Sequence, residues 1–428
     1  MKVLWLVNTV MPELAVHLGG KPSVFGGWLT GAMKAVRESG TEMVICCETP
    51  PGQNAGKYEV NGISYYFVDH ETDQLMEGQF RSLIRAEQPD LIHVFGTEYV
   101  AVLPFLRAAG PNKTVLTLQG ALQCIAETCL DGIPERIIRD DLLKKLRRFR
   151  TKEDAPMQKK QQSFFIRAAR EKEAFHLIRY ADGCSQWGSA YIHAENPACK
   201  MFECGCFLRD PFYTEPVWNS DQCDSHSVLA LMTRPEKGAH MLIQAMHKVI
   251  QQHPEAKLIL AGTYFSYRDY RGIKRLIQNL TPDYFWYIQS LIDRYQLRDH
   301  VKFAGYLDAD AMKQQLLRCN VFVSPSSHEH LATALGEARI LGVPSIATAV
   351  GALPEMIDHG KDGYLYDFTE VHVLAQYICN LFENEALAKQ FSQLGRQHAM
   401  HTYSYERNSR SLIDMYRTIL ADCREENA

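Results

Sequence analysis

Two glutamates in the C-terminal third of the chain, Glu329 and Glu337, have a type and spacing that could bind a ligand rich in hydroxyl groups. The apolar run at 321–323 predicts a buried parallel strand that ends shortly before Glu329. A helix is predicted from near Thr333 to Gly342, which places Glu337 early in that helix. An ionised carboxylate accepts hydrogen bonds from two neighbouring hydroxyls at once, as on a ribose or a hexose. The pair therefore predicts a site for a sugar-like group.

The elements that must position this pair are a strand, a loop and the start of a helix. Ligands of open α/β sheets bind at the carboxyl ends of the strands, and the free amides at a helix N-terminus attract phosphate. Two carboxylates beside such a terminus suit a sugar joined through a diphosphate to a nucleoside. For the pair alone, two solvated glutamates on a surface helix remain the simpler interpretation.

Cations precede the glutamates at a second predicted strand end. The apolar run 229–232 leads into a loop with Arg234 and Lys237, and a helix begins near Gly238. Two cations there can bind both phosphates of a diphosphate. In the first half, Gly26 and Gly27 precede another helix, where they allow close approach of a ligand to the backbone. They do not form the spaced glycine fingerprint of dinucleotide binding, so a nicotinamide enzyme is not supported.

Metal chemistry is not predicted for the acidic and histidine motifs. Asp308 and Asp310 flank Ala309 at a predicted helix start, where Asp308 suits an N-cap better than a metal ligand. His328 and His330 flank Glu329, but no third ligand is evident in the sequence. We therefore expect neither a metal nor a cofactor.

Length and composition favour an ordinary globular protein of two or three domains. The chain has 428 residues, of which 46% are hydrophobic and 22% charged, and its net charge of −4 does not favour nucleic acid as a partner. No apolar run approaches the ~18 residues of a membrane span, and the first eight residues predict a core strand, not a secretory signal. The 12 cysteines are scattered, so we expect reduced thiols in a cytoplasmic protein.

Strands, among them those predicted at 63–68 and 257–261, alternate with helices along both halves of the chain, which predicts doubly wound parallel sheets. The polar region 207–227 is predicted to link the two halves. The predicted domains are 1–207 and 208–404, with a C-terminal helix from about 405 that packs back on the first domain. We expect a cleft between the two halves, since ligands prefer such clefts.

A basic segment, 135–172, interrupts the first half. It carries 13 basic and 6 acidic side chains, and several leucines share one helical face with the charges. Such a stretch can lie on an anionic membrane surface. A solvated helical excursion is an equally good interpretation.

The chain resembles the retaining glycosyltransferases of family 4, which have the GT-B fold of two facing Rossmann-like domains. The resemblance extends over nearly the whole length and lies in the order of several motifs. These are Gly26-Gly27, the strand 89–94, Glu236-Lys237-Gly238, the strand 301–305, the Glu329 and Glu337 pair, and the closing segments 350–357 and 360–365.

The resemblance implies roles at the matching positions. Lys237, with an upstream arginine for which Arg234 is the candidate, would bind the donor diphosphate, while Glu329 would hold the donor sugar. The other implied donor-side residues are Glu337 at the ribose, with Gly26, Gly27, Leu331, Gly305 and Gly336; Gln119 and Gly120 lie on the acceptor side.

Three departures from the family pattern leave points open. The family's arginine lies further from the lysine than Arg234 does, and Met232 can occupy its place. Gln119 stands where the family often has histidine, and Ala352 replaces a glycine of the closing segment. The segment 264–287 is longer and more aromatic than usual, so we expect it to shape a substrate pocket.

The sequence thus predicts a retaining, metal-independent transferase that moves a sugar from a nucleotide sugar, with a uridine nucleotide suggested by the family. The acceptor would be a glycan, a lipid-linked molecule or a small molecule, as in surface polysaccharide synthesis. A peripheral membrane contact through 135–172 is a further hypothesis. A nucleotide-sugar epimerase, a phosphorylase and a catalytically silent binding subunit remain alternatives.

Overall fold

The computed structural model describes residues 1–21, 26–139, 157–262, 264, 266 and 282–425. They form two compact units. The first comprises Met1–Leu122, Ile166–Asp210 and His401–Ala428, and the second comprises Gln123–Phe165 and Pro211–Met400. The predicted boundary at 207/208 lies three residues from the observed one. The described part of Gln123–Phe165, assigned by sequence to the first domain, groups with the second unit.

The strands of the described chain occur in two sheets. They are β1 (Lys2–Leu6), β2 (Glu42–Glu48), β3 (Gly56–Val60), β4 (Ile63–Val68), β5 (Leu91–Phe95), β6 (Thr114–Thr117), β7 (Tyr180–Asp182), β8 (Lys200–Phe202), β9 (Ser227–Leu231), β10 (Lys257–Ala261), β11 (Val301–Gly305), β12 (Val321–Ser324), β13 (Ser345–Thr348) and β14 (Tyr364–Tyr366).

Helices alternate with these strands. They are α1 (Pro12–His17), α2 (Gly27–Glu38), α3 (Asp73–Glu87), α4 (Val102–Ala109), α5 (Leu122–Thr128), α6 (Glu135–Ile138), α7 (Met157–His176), α8 (Gln186–Glu195), α9 (Ala239–Gln252), α10 (Tyr284–Arg294), α11 (Ala309–Arg318), α12 (Thr333–Ile340), α13 (Val371–Glu383), α14 (Glu385–Thr402) and α15 (Tyr405–Glu425). No helix in the described ranges combines the length and apolar character that a membrane crossing requires.

The first unit is built on a sheet of order β3-β4-β2-β1-β5-β6-β7-β8. Its strands pair in parallel except β3 with β4, which form an antiparallel hairpin. The hairpin turn is Asn61-Gly62, where both residues have positive φ, 51° and 77°. Such a turn matches the twist of the two strands it joins. The parallel sheet predicted for this half is thus confirmed, with an antiparallel edge added.

Both faces of this sheet are covered, which explains why β1 is apolar from Val3 to Leu6. Val3 and Trp5 point to a core shared with α2 and α15. Leu4 and Leu6 point to the opposite core, which holds residues of α3, α4 and α7. The C-terminal helix α15 therefore belongs to the fold of the first unit.

A line of buried polar groups fastens α15 to the sheet. The indole N–H of Trp5 donates to the Tyr416 hydroxyl at 3.1 Å, and this hydroxyl lies 2.7 Å from His93 Nδ1. His93 Nε2 lies 2.6 Å from Thr117 Oγ1, which donates to Asp182 Oδ2 at 3.2 Å. Because Thr117 donates to the carboxylate, it accepts from His93 Nε2–H, and Tyr416 donates to Nδ1. Every group is satisfied with neutral His93, and burial lowers its pKa to about 3.

The second unit contains a fully parallel sheet of order β11-β10-β9-β12-β13-β14. The chain winds outward from β9 to one edge, then returns to β12 and winds to the other edge. The order of strands therefore reverses between β9 and β12. Ligands of such sheets bind in the crevice at the carboxyl ends of the two strands at this reversal.

Several local predictions for the second unit are confirmed. The strand 257–261 is β10, and the helix predicted from Thr333 is α12. Asp308 caps α11, since its side chain accepts from the Ala311 amide at 2.9 Å. The linker is held more firmly than its polarity suggested, because Lys313 Nζ donates to the carbonyls of Pro211, Thr214 and Glu215.

The buried polar line makes Tyr416→Phe a test of how α15 is held. Removing the hydroxyl leaves Trp5 Nε1–H and His93 Nδ1 without their partner in a dry core, so the free energy of unfolding should fall by about 1–3 kcal/mol. Tyr58→Phe is the control, because that hydroxyl bonds to the exposed Asn54 carbonyl, and it should change stability by less than about 0.5 kcal/mol. If denaturant titrations gave equal losses of unfolding free energy for Tyr416→Phe and Tyr58→Phe, the role of the Tyr416 hydroxyl in holding α15 would be contradicted.

The depressed pKa of His93 predicts acid sensitivity of the fold. Between its ordinary value of 6.5 and about 3, unfolded His93 binds a proton that the folded residue does not. Stability should therefore fall with decreasing pH below 6.5, by up to about 1.4 kcal/mol per pH unit from this group. His93→Gln should flatten the plot of unfolding free energy against pH between 6.5 and 4. An unchanged slope in the variant would count against a neutral, buried His93.

Candidate active site at the strand reversal of the second sheet

Lys237 and Glu329 meet at the reversal between β9 and β12. Lys237 ends the short 3-10 turn that follows β9, and Glu329 lies in the loop after β12. The ammonium group of Lys237 forms an ion pair with Glu329 Oε1, and the side chains are only 19% and 11% exposed. Ser326 Oγ donates to the same carboxylate oxygen at 3.0 Å. The structure thus joins two of the residues that the sequence predicted for one site.

Gly238 fixes the loop that carries Lys237. Its φ is +69°, and a Cβ at this position would overlap the carbonyl oxygen of Pro325 in the loop after β12. The Ser327 amide donates to the Glu236 carbonyl at 2.9 Å, which ties the two loops a second time. Only glycine combines this left-handed conformation with so close an approach of two backbones.

A third loop supports Glu329 from behind. Gly351, with φ +54°, lies directly against the Glu329 carbonyl, again with no room for a Cβ. The Ala352 amide donates to that carbonyl at 3.2 Å. Thr348 Oγ1, at the end of β13, donates to the Ser326 carbonyl at 2.7 Å. Three adjacent strand ends therefore position one carboxylate.

The ion pair lines a cavity of about 80 Å³ in the second unit. This volume holds several water molecules or a comparably small polar group. The remaining wall is formed by the ends of β9 and β12 and by the start of α12, including Leu331, Thr333 and Ala334. First-turn amides of a helix lack acceptors within the helix, so this wall favours an anion.

Three other residues predicted for the donor side, Gly305, Gly336 and Glu337, lie in the same unit but do not line this cavity. Gly336 and Glu337 are buried within α12, where Glu337 is 2% exposed. Gly305 ends β11 with φ +72° and open space around it, followed by Tyr306, which is 57% exposed.

Arg234 is not among the residues that line the cavity. Its side chain is 57% exposed and its Nε lies 2.6 Å from Glu236 Oε1. Met232, the other residue considered for this slot, is buried. Lys237 is therefore the cation that the described structure brings to Glu329.

The histidines beside Glu329 are enclosed. His328 and His330 are 8% and 2% exposed, and burial lowers the pKa of His328 to about 4. A neutral His328 leaves Lys237 as the charged partner of Glu329. Neither histidine belongs to a group of three potential metal ligands among the residues that the structure describes.

The first sheet has its own reversal, between β1 and β5. There Asn8 Nδ2 donates to Gln119 Oε1 at 2.9 Å, and Glu98 accepts from the Thr97 amide. Removal of the Glu98 carboxyl from water raises its pKa to about 7. The predicted acceptor-side residues Gln119 and Gly120 thus lie beside two polar residues, Asn8 and Glu98, that sequence reasoning missed.

The glycine pair at the start of α2 has a packing role that the sequence did not reveal. Gly26 caps α2 with φ +73°. A Cβ on Gly27 would lie 2.6 Å from Arg209 Cγ, so the arginine stem fills the space that glycine leaves.

Two predicted features fall partly outside the described residues. Six of the 13 basic side chains of 135–172 lie in 140–156, and most of the aromatic segment 264–287 lies in 267–281. Of the latter, Tyr264 is described, and its ring stacks on Phe303 of β11 with centroids 3.5 Å apart.

Comparison with known proteins finds similarity in the part of the chain that holds this site. Residues 231–398 match the family model described as Glycosyl transferases group 1. Among curated proteins, the chain is similar to the putative glycosyltransferase YtcC of Bacillus subtilis, with 29% identity over 189 residues. That similarity covers 44% of this chain and 43% of YtcC. The chain thus spans less than half the length of the curated relatives it matches.

Solved structures match the chain over nearly its full length. Sucrose-phosphate synthase from Thermosynechococcus elongatus has a TM-score of 0.71 at 17% identity, covering 99% of this chain and all of that one. Anabaena Alr3699/HepE in complex with UDP-glucose has a TM-score of 0.64 at 18% identity, covering 98% and 100%. These likenesses show the fold, which is GT-B.

The contact between Gly238 and Pro325 predicts that alanine is not tolerated there. Gly238→Ala should lower the free energy of unfolding by about 2–4 kcal/mol, because it adds a backbone clash to the cost of positive φ. Gly360→Ala is the matched control in the same unit, with φ +74° and nothing within 4 Å of the added Cβ. It should cost only about 1 kcal/mol. Similar losses for both variants in chemical denaturation would show that the two loops are not locked.

Proposed function

We propose that the chain is a retaining glycosyltransferase that moves a sugar from a nucleotide sugar to a hydroxyl of a glycan, lipid-linked or small-molecule acceptor. The observation that carries the proposal is the Lys237–Glu329 pair in the cavity at the strand reversal. Both residues lie within 231–398, which matches the group 1 glycosyl transferases. The complex of Alr3699/HepE with UDP-glucose supports a uridine nucleotide as the first donor to test.

Donor binding exchanges the partners of the ion pair. Without donor, the ammonium group of Lys237 neutralises Glu329. A diphosphate carries more negative charge than one carboxylate, so Lys237 turns to the phosphate oxygens when the donor enters. The start of α12 lines the same cavity and adds its amides to this anion site. The pair thus holds the lysine in place before the donor arrives.

Glu329, released from Lys237, accepts hydrogen bonds from the donor sugar. Its carboxylate keeps the hydrogen bond from Ser326 Oγ, which fixes its orientation. Two neighbouring sugar hydroxyls can then donate to one carboxylate. We assign Glu337 to the ribose hydroxyls because it is the second glutamate of the pair and lies one turn into α12.

Lys237 and the helix amides act mainly on the transition state. As the bond between sugar and diphosphate breaks, negative charge grows on the departing phosphate, and a fixed cation stabilises that charge more than it stabilises the bound donor. The leaving phosphate takes the proton of the acceptor hydroxyl, which attacks from the same face and so retains the anomeric configuration. No second catalytic carboxylate is required by this scheme.

The scheme uses neither a metal ion nor a cofactor. Of the described residues that line the cavity, Glu329 supplies the carboxylate, and it is already paired with a cation. Divalent ions at phosphate sites are usually held by one or two carboxylates together with the phosphates. We assign the neutralising role to Lys237 and the α12 amides instead.

The first unit is proposed to bind the acceptor. Asn8, Glu98 and Gln119 at its strand reversal offer donors and acceptors for hydroxyl groups. The basic segment 135–172 remains a proposed contact with anionic lipid, and vesicle flotation tests it separately.

Turnover of Lys237→Ala tests the proposal. The purified chain is incubated with UDP-, GDP- and ADP-sugars and glycan or lipid-linked acceptors, and both nucleoside diphosphate release and acceptor mass are measured. Losing one cation from the departing phosphate should raise the barrier by about 2–4 kcal/mol, a fall in kcat of roughly 30- to 1,000-fold. Glu329→Gln removes a charged acceptor and should lower kcat/KM by about 10- to 150-fold. Lys361→Ala, an exposed lysine of the same unit paired with Asp358, should retain full activity.

The outcomes separate the candidate functions. Glycosylated acceptor with an unchanged anomer, read by proton NMR, supports a retaining transferase, whereas an inverted anomer contradicts the proposed mechanism. A changed donor sugar indicates an epimerase, and phosphate-dependent cleavage of a glycan indicates a phosphorylase. Donor binding without turnover indicates a silent subunit. Full activity of Lys237→Ala would remove that residue from the reaction.

A further inference from the structure

A cluster of two histidines and two glutamates lies at the opposite end of the strands of the second sheet from the candidate active site. His226 directly precedes β9, while His253 and Glu255 lie in the connection from α9 to β10. Glu383 is the last residue of α13. These positions are at the amino ends of the strands, whereas Lys237 and Glu329 follow the carboxyl ends. The cluster takes no part in the proposed reaction.

The structure assigns a zinc-type divalent metal site to His226, His253 and Glu255. Each of them offers one ligand atom, and the three atoms lie within 4.8 Å of one another. His226 Nδ1 is 3.1 Å and His253 Nδ1 is 3.8 Å from Glu255 Oε1. Ligands at zinc distances in a tetrahedral site are about 3.3–3.5 Å apart. The two histidine–carboxylate separations therefore need shifts of only a few tenths of an ångström. The two imidazole nitrogens lie no more than 4.8 Å apart, so they must approach each other by up to about 1.5 Å when an ion binds.

Glu383 provides a second, independent indication of a metal. The Nε2 atom of His253 lies 3.1 Å from Glu383 Oε1, on the opposite side of the ring from the nitrogen that faces Glu255. A metal-bound histidine typically donates its remaining N–H to a carboxylate, which fixes the tautomer and strengthens the ligand. His253 therefore has one nitrogen towards Glu255 and the other towards Glu383, which is the orientation typical of a histidine that binds a metal.

The rings are already held in position. The His226 and His253 rings stack with centroids 5.0 Å apart, and the edge of Phe382 packs against both, at 4.9 Å and 5.5 Å. Preorganised ligands lose little rotamer entropy when an ion binds. The Ser225 hydroxyl lies 2.7 Å from His226 Nδ1, so it must turn to solvent when an ion takes that nitrogen.

Two imidazoles and one carboxylate select a borderline ion such as Zn²⁺ or Co²⁺ over Mg²⁺ or Ca²⁺, which prefer oxygen ligands. Water completes the coordination, since Glu255 is half exposed. The ion would join the start of β9, the loop before β10 and the end of α13. Its role is therefore to stabilise the second unit.

Titration of the whole chain with ZnCl₂ tests the site. Calorimetry should show one saturable equivalent, and CoCl₂ should give a visible absorption band of low-coordinate Co²⁺. His226→Ala and His253→Ala should each abolish both signals. Glu383→Gln keeps all three ligands and should weaken binding by about 10- to 100-fold, while Ser225→Ala should retain it.

Matched controls distinguish this cluster from other histidines. His247→Ala changes a half-buried histidine of α9 that stacks on Tyr295, and Asp358→Asn changes a second potential ligand group, Asp358, Asp362 and His398. Both variants should bind like the parent chain. Circular dichroism verifies folding, and zinc should raise the melting midpoint of the parent but not of His226→Ala. One-equivalent binding that survives in both His226→Ala and His253→Ala, loss in Asp358→Asn instead, or no saturable binding at all would overturn the assignment.

Discussion

The close contact between Gly238 and the Pro325 carbonyl is the constraint on which the candidate site depends. It brings the loops after β9 and β12 together without an intervening side chain, and the Ser327–Glu236 backbone hydrogen bond closes the same junction. The carboxyl ends of β9 and β12 are where the sheet order reverses, so the fold leaves a crevice there. With the loops locked, Lys237 and Glu329 have one arrangement instead of many, and their charges neutralise each other in a partly dry cavity. A charge pair held in this way is costly to desolvate but ready to exchange partners with a stronger anion.

Buried polar groups have different roles in the two units. In the first unit, the line from Trp5 through Tyr416 and His93 to Asp182 is satisfied internally, and it fastens the C-terminal helix to the sheet. At the strand reversal of the second unit, the Lys237–Glu329 pair faces a cavity and keeps part of its hydrogen-bonding capacity for a ligand. Full internal satisfaction indicates a structural role, whereas polar groups that open on a cavity indicate a binding role.

Much of the fold could be predicted from the sequence, because buried parallel strands are continuous apolar runs and their helices end at glycine or proline. The strands at 63–68 and 257–261 were predicted at their observed bounds. The hairpin β3–β4 was missed although Asn61-Gly62 is a strong turn signal. Lys237 and Glu329 are 92 positions apart in the sequence. The order of the motifs suggested that they share a site, but only the order of the strands in the sheet explains their contact. The sequence left the place of Arg234 open, because the turn of the short 3-10 segment between Arg234 and Lys237 decides which side chain faces the cavity. It also could not identify Ser326, Glu98 or the His226 cluster, which are ordinary residues until folding brings their partners close.

The central claim is that the diphosphate of a nucleotide sugar displaces Glu329 from Lys237. A crystal structure of the protein with its donor, or with UDP-glucose as the first ligand, measures this directly. The account predicts Lys237 Nζ within about 2.7–3.2 Å of a phosphate oxygen and the Glu329 carboxylate turned to hydroxyls of the sugar. A bound donor with the Lys237–Glu329 pair still closed, or a donor located at another edge of the sheet, would contradict it.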